Sequence, residues 1–448
     1  MNKFWIIPFA LLMAVSLVGA FMPQVPAINT GGPAEIGNIA WMMVATAMVM
    51  LMTPGLAFFY GGMVSTKNVV STMLQSFICM GIVSLLWILV GFSLAFGEDV
   101  AGLGIIGNPS TFFMFLGVGA GTHADLGKAI VGTNPHIPLL LFAIFQLMFA
   151  IITPAIVTGS FAERVRFSGY LLFTCLFTLL IYCPLAHMAW HPEGLLCKKG
   201  VLDFAGGTVV HISAGVAALI GAMVLKKRKN HGISHNPANT AYVILGTGLL
   251  WFGWFGFNGG SALGANSLGI LAFATTNTAA AAGALAWVFF DAIRGRKLTA
   301  MGICIGAVVG LVAVTPAAGF ISIPSSIFFG SFGALISNIL VYWKSTKTQV
   351  DDTLDVFPCH GVGGIVGMIL TPVFATSEFG GWIATGNPHL FLEHLEGLGI
   401  VLAFVLVMSY IIYFAVNAVI PIRVNEEHEE LGLDLSQHGE KLASHIKI

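Results

Sequence analysis

Charge is the first thing that this sequence lacks. Its 448 residues include 19 Lys and Arg and 20 Asp and Glu, so only 9% are charged, whereas soluble globular proteins average about 25%. The hydrophobic fraction is 57%, which also excludes disordered, fibrous and nucleic-acid-binding chains, since those depend on polar or basic composition. The composition predicts an all-α polytopic membrane protein embedded in a lipid bilayer, with no nucleic acid among its partners.

Paired cysteines are lacking as well. The six cysteines fall mostly inside apolar runs without paired spacing, which is typical of small buried hydrophobic residues rather than of a disulfide framework. The apolar runs contain no metal, nucleophile or cofactor constellation, so we expect no enzyme activity and no cofactor. Glycine, in contrast, is abundant at 54 residues. It indicates either close helix packing or ordinary membrane-helix composition.

Long apolar runs fill most of the chain. The first follows Lys3 and ends near a small-residue site at 25–27, so residues 1–27 are expected to form a signal peptide; if it is not removed, it becomes an extra amino-terminal helix. The transmembrane domain is predicted over 28–421, followed by a polar tail over 422–448. Eleven spans are predicted in that domain, at 39–62, 69–96, 138–161, 168–189, 208–225, 241–257, 268–290, 300–316, 321–343, 356–374 and 398–420.

The basic residues are distributed unevenly between alternate loops. Fifteen of them, from Lys67 to Lys447, fall on one side, whereas only Lys128, Lys198 and Lys199 fall on the other. Because cytoplasmic loops hold an excess of Lys and Arg, the tail is predicted to lie in the cytoplasm and the mature amino terminus outside.

A weak internal repeat divides the spans. The first span ends in FFYGG at 58–62 and the sixth in FGFNGG at 255–260. Five spans separate the two copies, so they would be related by an inverted-topology repeat, with any site near mid-membrane between the halves. Repeat one is predicted over about 36–230, repeat two over about 240–376, and a final helix over about 397–421.

Two histidines lie inside predicted spans, where ionisable residues generally indicate function. His211 comes eight residues after Asp203, and His360 nine residues after an acidic cluster that begins at Asp351 on the opposite side. At about 1.5 Å per residue, both would lie near the middle of the bilayer core. A facing pair could bind a small polar molecule and relay a proton; the alternative is two unrelated core histidines.

Groups suited to a cation accompany the histidines. Asp203 precedes its span either as a helix N-cap or as a carboxylate that attracts a cation. Aromatic rings at or near span ends offer cation–π contacts, although interfacial Trp belts explain most of the tryptophans. These rings belong to Phe145, Phe149, Trp190, Trp254 and Phe257.

Motifs along the chain resemble those of the ammonium transporter family (Amt/Mep/Rh), and most closely its bacterial Amt branch. The resemblance covers nearly the whole mature chain. It is carried by MTPGLAFFYGG from Met52, SLAFGE from Ser93, FAERVRFS from Phe161, AHMAW from Ala186, DFAGGTVVHISAG from Asp203, WFGFNGGSA from Trp254, VTPA from Val314 and DVFPCHGVGGIVG from Asp355.

The resemblance implies a set of functional residues. An outer ammonium site would be formed by Phe149, Trp190 and Ser261, and a gate by Phe149 and Phe257. The pore histidines would be His211 and His360, and Asp203 would support recruitment. The implied mechanism is capture of ammonium, deprotonation at the mouth, and passage of ammonia past the histidines with separate transfer of the proton. The family's homotrimer, inner-membrane location and role in nitrogen uptake are also implied.

Three departures from the family pattern bear on the site. Pro358 and Cys359 precede His360 where the family more commonly has glycine and a small apolar residue, so the helix start is expected to shift. His191 and Pro192 follow Trp190 where glycine is usual, which affects the outer site. Pro154 is expected to kink the third span.

In the tail, EELGLDLSQHGE from Glu429 resembles the region that couples subunits and docks a PII-type regulator.

Two other functions are alternatives to transport. A sensor of the same fold would signal ammonium through its tail, although no kinase or cyclase domain follows Arg423. A passive gas or water channel would need no cation site at its mouth, and Phe149, Trp190 and Ser261 argue against it.

Overall fold

Helices account for nearly all the regular structure. In the computed structural model, the described residues are 6–20, 36–120, 137–232 and 237–442, and within them strand pairing is limited to two isolated bridges. The main helices are α1 Ile6–Ala20, α2 Ile36–Met63, α3 Val69–Phe96, α4 Leu139–Ser160, α5 Phe167–Trp190, α6 Gly207–Leu225, α7 Thr240–Gly260, α8 Ser267–Ile293, α9 Ala300–Val314, α10 Ile323–Lys347, α11 Phe357–Phe374, α12 His389–Val419 and α13 Glu426–Leu431.

Ten of these helices are long and apolar enough to cross a membrane, namely α2 to α8 and α10 to α12. Helix α9 is apolar but has only 15 residues. Each predicted run overlaps one of these eleven helices, so the all-helical membrane fold is confirmed in outline. The amino-terminal run forms α1, and the site at 25–27 lies outside the described residues.

The predicted start of the last span was wrong. Helix α12 begins at His389, whereas the apolar run predicts a start at 398, because hydropathy detects only the apolar part of the helix. In the structure Lys199 pairs with Glu396 at 2.8 Å and with Glu393 at 3.8 Å. These ion pairs hold additional helical turns beyond the apolar segment.

Short polar side chains begin the helices of the second half. Asn239 accepts hydrogen bonds from the amides of Ala241 and Tyr242 at the start of α7. Asn266, Thr299 and Ser322 cap α8, α9 and α10 in the same way. Each cap satisfies amides that have no partner inside the helix.

Glycines allow two pairs of helices, including the pair that carries the histidines, to cross at backbone contact. A Cβ added to Gly215 on α6 would lie 2.2 Å from Cα of Gly361 on α11. A Cβ at Gly246 on α7 would lie 2.3 Å from the amide of Phe59 on α2. Other glycines, such as Gly248, face open space, so both interpretations of the glycine content apply, at different positions.

Helices α6 and α11 also share an unusual first turn. Each begins as a π-helix, over Gly207–Ile212 and Phe357–Val362, and His211 and His360 lie within these turns. Single π-helical turns are rare and are often found at functional sites. The two halves of the bundle therefore present their histidines from the same local structure.

The end of the bundle that carries the C-terminal tail, here called the tail side, holds a buried charge cluster. Arg228 donates two hydrogen bonds to Asp351, at 2.9 and 3.0 Å, and one to Glu163 at 2.7 Å. Burial lowers the pKa of Arg164 to about 10. Burial alone would raise the pKa of the Asp351 carboxyl, but Arg228 and Arg164 outweigh it and hold that pKa well below its ordinary value.

Candidate functional site

A stack of aromatic rings lies at the end of the bundle opposite the tail. Phe149 on α4 and Phe257 on α7 have ring centroids 4.1 Å apart and planes 33° apart. The Trp190 ring stands edge-on to Phe149 at 6.0 Å. The side chains of all three are at most 6% exposed. The two phenyl rings therefore separate the Trp190 side from the interior.

A small cavity opens above this stack. Its volume is about 10 Å³, which is about what one water-sized molecule needs. Phe149, Trp190 and Ser261 line it together with Phe96, Phe142, Gln146, Phe204 and Leu263. The three residues expected to form the outer site thus share one cavity.

The polar atoms of the cavity are mostly hydrogen-bond acceptors. The Ser261 hydroxyl donates to the carbonyl of Phe257 at 2.7 Å, which leaves its oxygen able to accept. The Trp190 indole N–H donates to the carbonyl of Asp203 at 3.0 Å, so that Trp190 offers its ring face. Oε1 of Gln146 is buried without a partner among the described residues. Ring faces and acceptor oxygens together suit a small cation with N–H donors.

The two histidines meet below the phenyl rings. Nδ1 of His360 lies 3.3 Å from Nδ1 of His211, and their ring planes differ by 27°. His211 also stacks on Trp254 at 5.4 Å and lies 6.1 Å from Phe257. Since a hydrogen bond between two Nδ1 atoms needs one proton, one ring donates there and the other accepts.

Apolar residues surround the histidine pair. The cavity beside it is lined by Met52, Leu56, Ile152, Ile156, Val210, Leu250, Trp254, Phe257 and Val308 in addition to the histidines. Nε2 of His211 has no hydrogen-bond partner within the described part of the chain. A buried imidazole nitrogen without a partner is costly, and it is available to a small polar molecule.

The carboxylate of Asp203 caps the helix that carries His211. Asp203 accepts hydrogen bonds from the amides of Gly206, Gly207 and Thr208 at 2.6–2.9 Å, and from the Thr208 hydroxyl. Of the two roles that the sequence left open for Asp203, the structure shows the cap. The Asp203 carboxylate does not line the aromatic cavity. Asp203 contacts a residue of the cavity lining through its backbone carbonyl, which accepts the hydrogen bond of the Trp190 indole.

Comparison with known proteins decides the family. Residues 40–442 match the model of the Ammonium Transporter Family. The chain belongs to this family of transporters.

Its relatives are similar over almost their whole length. An ammonium transporter of Aquifex aeolicus (strain VF5) is 45% identical over 410 residues, which cover 91% of this chain and 93% of the relative. One of Bacillus subtilis (strain 168) is 43% identical over 412 residues, covering 91% and 98%. The crystal structure of Saccharomyces cerevisiae Mep2 superposes with a TM-score of 0.80 at 33% identity, over 91% of this chain and 93% of that one.

Two polar residues near the aromatic cavity and the histidines were not predicted from the sequence. Within the acidic cluster that begins at Asp351, Asp352 caps α11, because its carboxylate accepts from the amides of Val356 and Phe357 at 3.1 and 2.8 Å. It precedes His360 by eight residues, the same spacing as between Asp203 and His211, and this equal spacing could have identified it. Gln146 was a lone polar residue in an apolar run, three positions before Phe149.

The departures from the family pattern have local effects. Pro358 lies in the first turn of α11, where a missing amide hydrogen is tolerated, and the π-helical turn runs through it. Pro154 lies inside the helix Leu139–Val157. The ring of His191 stacks on that of His187 at 4.3 Å, outside the aromatic cavity.

Proposed function

We propose that the chain moves ammonium nitrogen across a membrane by capturing the ammonium ion, removing one proton, and conducting ammonia. The observation that carries this proposal is a continuous series of ring contacts that leads from the aromatic cavity through two stacked phenyl rings to two histidines in contact. The first would hold a cation, whereas the last lie in apolar surroundings that a bare ion enters only at high cost.

Capture is assigned to the cavity of Phe149, Trp190 and Ser261. Ammonium would gain cation–π attraction from the rings, of about 2 kcal/mol when desolvated, and would donate a hydrogen bond to the Ser261 oxygen. Asp203 is proposed to support this step through the backbone carbonyl that fixes Trp190.

Passage is assigned to the gate and the histidines. Ammonium would give up one proton near the Phe149 and Phe257 rings, and neutral ammonia would move past them. His211 and His360 would offer it one donor and one acceptor, and they would relay the released proton separately. Potassium has no proton to lose, so this route would exclude it.

The direct test is an electrical measurement on proteoliposomes. A pulse of ammonium should give a current on a solid-supported membrane, and an equal potassium pulse should give none. Absence of an ammonium current would contradict coupled proton transfer. In His211→Ala the current should disappear or potassium should become conducted, and wild-type selectivity in that variant would argue against the relay.

We also propose a membrane topology and an assembly for the chain. We infer eleven spans, α2 to α12, with an inverted 5+5 repeat over about 36–230 and 240–376 and a final helix α12 at His389–Val419. The short α9 would be the eighth span, and residues 1–27 a signal peptide. The tail at 422–448 would be cytoplasmic in an inner-membrane homotrimer for nitrogen uptake. Protease access in oriented vesicles and light scattering of the purified protein check orientation and subunit number.

The tail favours a second role in sensing or regulation. Asp434 accepts hydrogen bonds from the amides of Val70 and Ser71 at the start of α3, and Gln437 bonds the backbone of Val165 and Phe167. A partner that binds the tail would therefore act on pore helices directly. A PII-type regulator is the partner that we propose, and co-purification with and without residues 422–448 would test it.

A further inference from the structure

A second buried histidine site lies beside the aromatic cavity. His187 is fully buried one turn before Trp190 in the helix Cys183–Trp190. Its Nδ1 lies 3.1 Å from the carbonyl oxygen of Ala95, and its Nε2 lies 3.0 Å from Oδ1 of Asp99. Both neighbours come from the end of α3 and the loop that follows it, so His187 joins that loop to the end of α5.

These two neighbours determine how many protons the site holds. A carbonyl oxygen can only accept, so Nδ1 of His187 must carry a hydrogen. An ionised carboxylate can also only accept, so Nε2 must carry one too, unless Asp99 is itself protonated and donates. In either case the pair holds one proton more than a neutral imidazole and an ionised carboxylate.

His394 is also a buried histidine with a carbonyl oxygen beside Nδ1, but its Nε2 has a different kind of neighbour. Nδ1 of His394 faces the carbonyl of Met368 at 3.0 Å, but its Nε2 accepts from the amide of Leu202 at 2.9 Å. One donor and one acceptor are satisfied by a neutral ring. His394 therefore needs no additional proton, and it serves as a matched control.

The ring stacked on His187 fits the same proton count. His191 lies parallel to it, with ring planes 13° apart. Nδ1 of His191 accepts from the amide of Glu193 at 3.1 Å, so that nitrogen carries no hydrogen and the ring is neutral. A neutral aromatic face against a protonated imidazole is attractive, and a positive charge in the last turn of a helix is favoured as well.

We propose that His187 and Asp99 form a proton-holding pair, and that this proton positions Trp190 at the mouth of the transporter. If the proton leaves, the neutral ring keeps one hydrogen, so either Nε2 faces the Asp99 carboxylate or Nδ1 faces the Ala95 carbonyl as a bare nitrogen, and the two acceptors repel. The contact then opens, and the end of α5 loses its anchor. Oδ1 of Asp99 also accepts from the amide of Gly104 at 2.8 Å, so the loop would loosen as well.

Few other charges face this pair among the described residues. On its own segment, the His187 ring faces His191 and Glu193. Glu193 is paired with Lys198 at 2.8 Å. From the packed end of α3, the facing group is Asp99 itself. The proton is thus held mainly by the pair and not by a larger network.

Spectroscopy on the full-length protein in vesicles tests the proton count without transport. In nitrogen NMR spectra of protein that carries isotope-labelled histidine, the difference between the wild type and His187→Gln isolates the signals of the two His187 nitrogens. In infrared spectra, the difference between the wild type and Asp99→Asn isolates the Asp99 carboxyl. Two protonated nitrogens, or one bare nitrogen with a protonated carboxyl, would support the pair. One bare nitrogen with an ionised carboxylate would overturn it. His394→Gln should remove the signals of one neutral ring.

The positioning role rests on the proposed outer site, and transport kinetics test it separately. A glutamine amide has two N–H groups on one nitrogen, so His187→Gln can donate to both acceptors at any pH. In the wild type, the KM for ammonium should rise about tenfold where the pair loses its proton, equivalent to about 1.4 kcal/mol. In His187→Gln it should stay level, and His394→Gln should follow the wild type. Parallel pH profiles for the wild type and His187→Gln would overturn the role, whereas absence of wild-type transport would contradict the proposed function alone.

Discussion

One polar residue of the aromatic cavity, Gln146, was not expected from the sequence. Gln146 lines the aromatic cavity, and its Oε1 has no partner among the described residues. Serine and tryptophan were expected there from the family pattern, but the glutamine was not, because a single polar residue in an apolar run does not show which way its side chain points. Only the packing of α4 against its neighbours reveals it.

Replacing this glutamine should weaken capture. Gln146→Leu removes the acceptor, and losing one hydrogen bond to a charged group costs about 1.5–3 kcal/mol. The KM for ammonium is expected to rise about tenfold or more, measured by initial currents on proteoliposomes. Gln146→Asn keeps the amide at a shorter reach and should lie between the two. Unchanged KM in Gln146→Leu would show that the amide does not contact the ion.

The helices that carry the histidines show what a sequence can and cannot predict at the level of elements. The apolar runs predicted the helices well, since burial in a bilayer requires continuous apolar segments. The pairing of His211 with His360 followed from matched depths. The π-helical first turns and the cap by Asp352 were not predicted, because hydropathy does not encode backbone hydrogen-bond register.

The crossing of α6 and α11 should tolerate no side chain. In Gly215→Ala the new methyl group meets the backbone of Gly361, which cannot rotate away as a side chain can. Overpacking of this kind typically costs about 1–3 kcal/mol, so the unfolding temperature in detergent should fall and the ammonium current should be lost.

Gly248→Ala is the matched control for this substitution. Gly248 also lies in a helix but faces open space, and alanine favours helix by about 1 kcal/mol over glycine. Its thermal stability should equal or exceed that of the wild type. Equal stability in both variants would mean that the helices can separate at the crossing without penalty.

At the scale of the whole molecule, the charge cluster on the tail side ties loops from both halves together. Arg228 follows α6, Glu163 follows α4, and Asp351 precedes α11. The basic-residue count placed Arg164 and Arg228 on one side, and their ion pairs within this cluster agree with that grouping. Their mutual pairing was not predicted, because charge counting carries no information on distance.

Acid should loosen this cluster. The pKa of Asp351 is held well below its ordinary value, so its stabilisation is fully present above the unfolded-state pKa of about 3.9 and is lost as pH falls toward the folded-state value. Unfolding temperatures measured against pH should therefore drop on the acid side. Asp351→Asn should be less stable at neutral pH, with a shallower acid dependence, whereas the exposed Glu378→Gln should keep the wild-type curve. A wild-type slope in Asp351→Asn would contradict this.

The glycine crossing has one more consequence. Because Gly215 and Gly361 already touch through their backbones, the two halves cannot approach further, and neither position can be made smaller to compensate for a change in the other. The distance between the two backbones that carry the histidines is therefore set by main-chain contact and not by side-chain packing. Neither position can therefore accept a side chain unless the two helices separate.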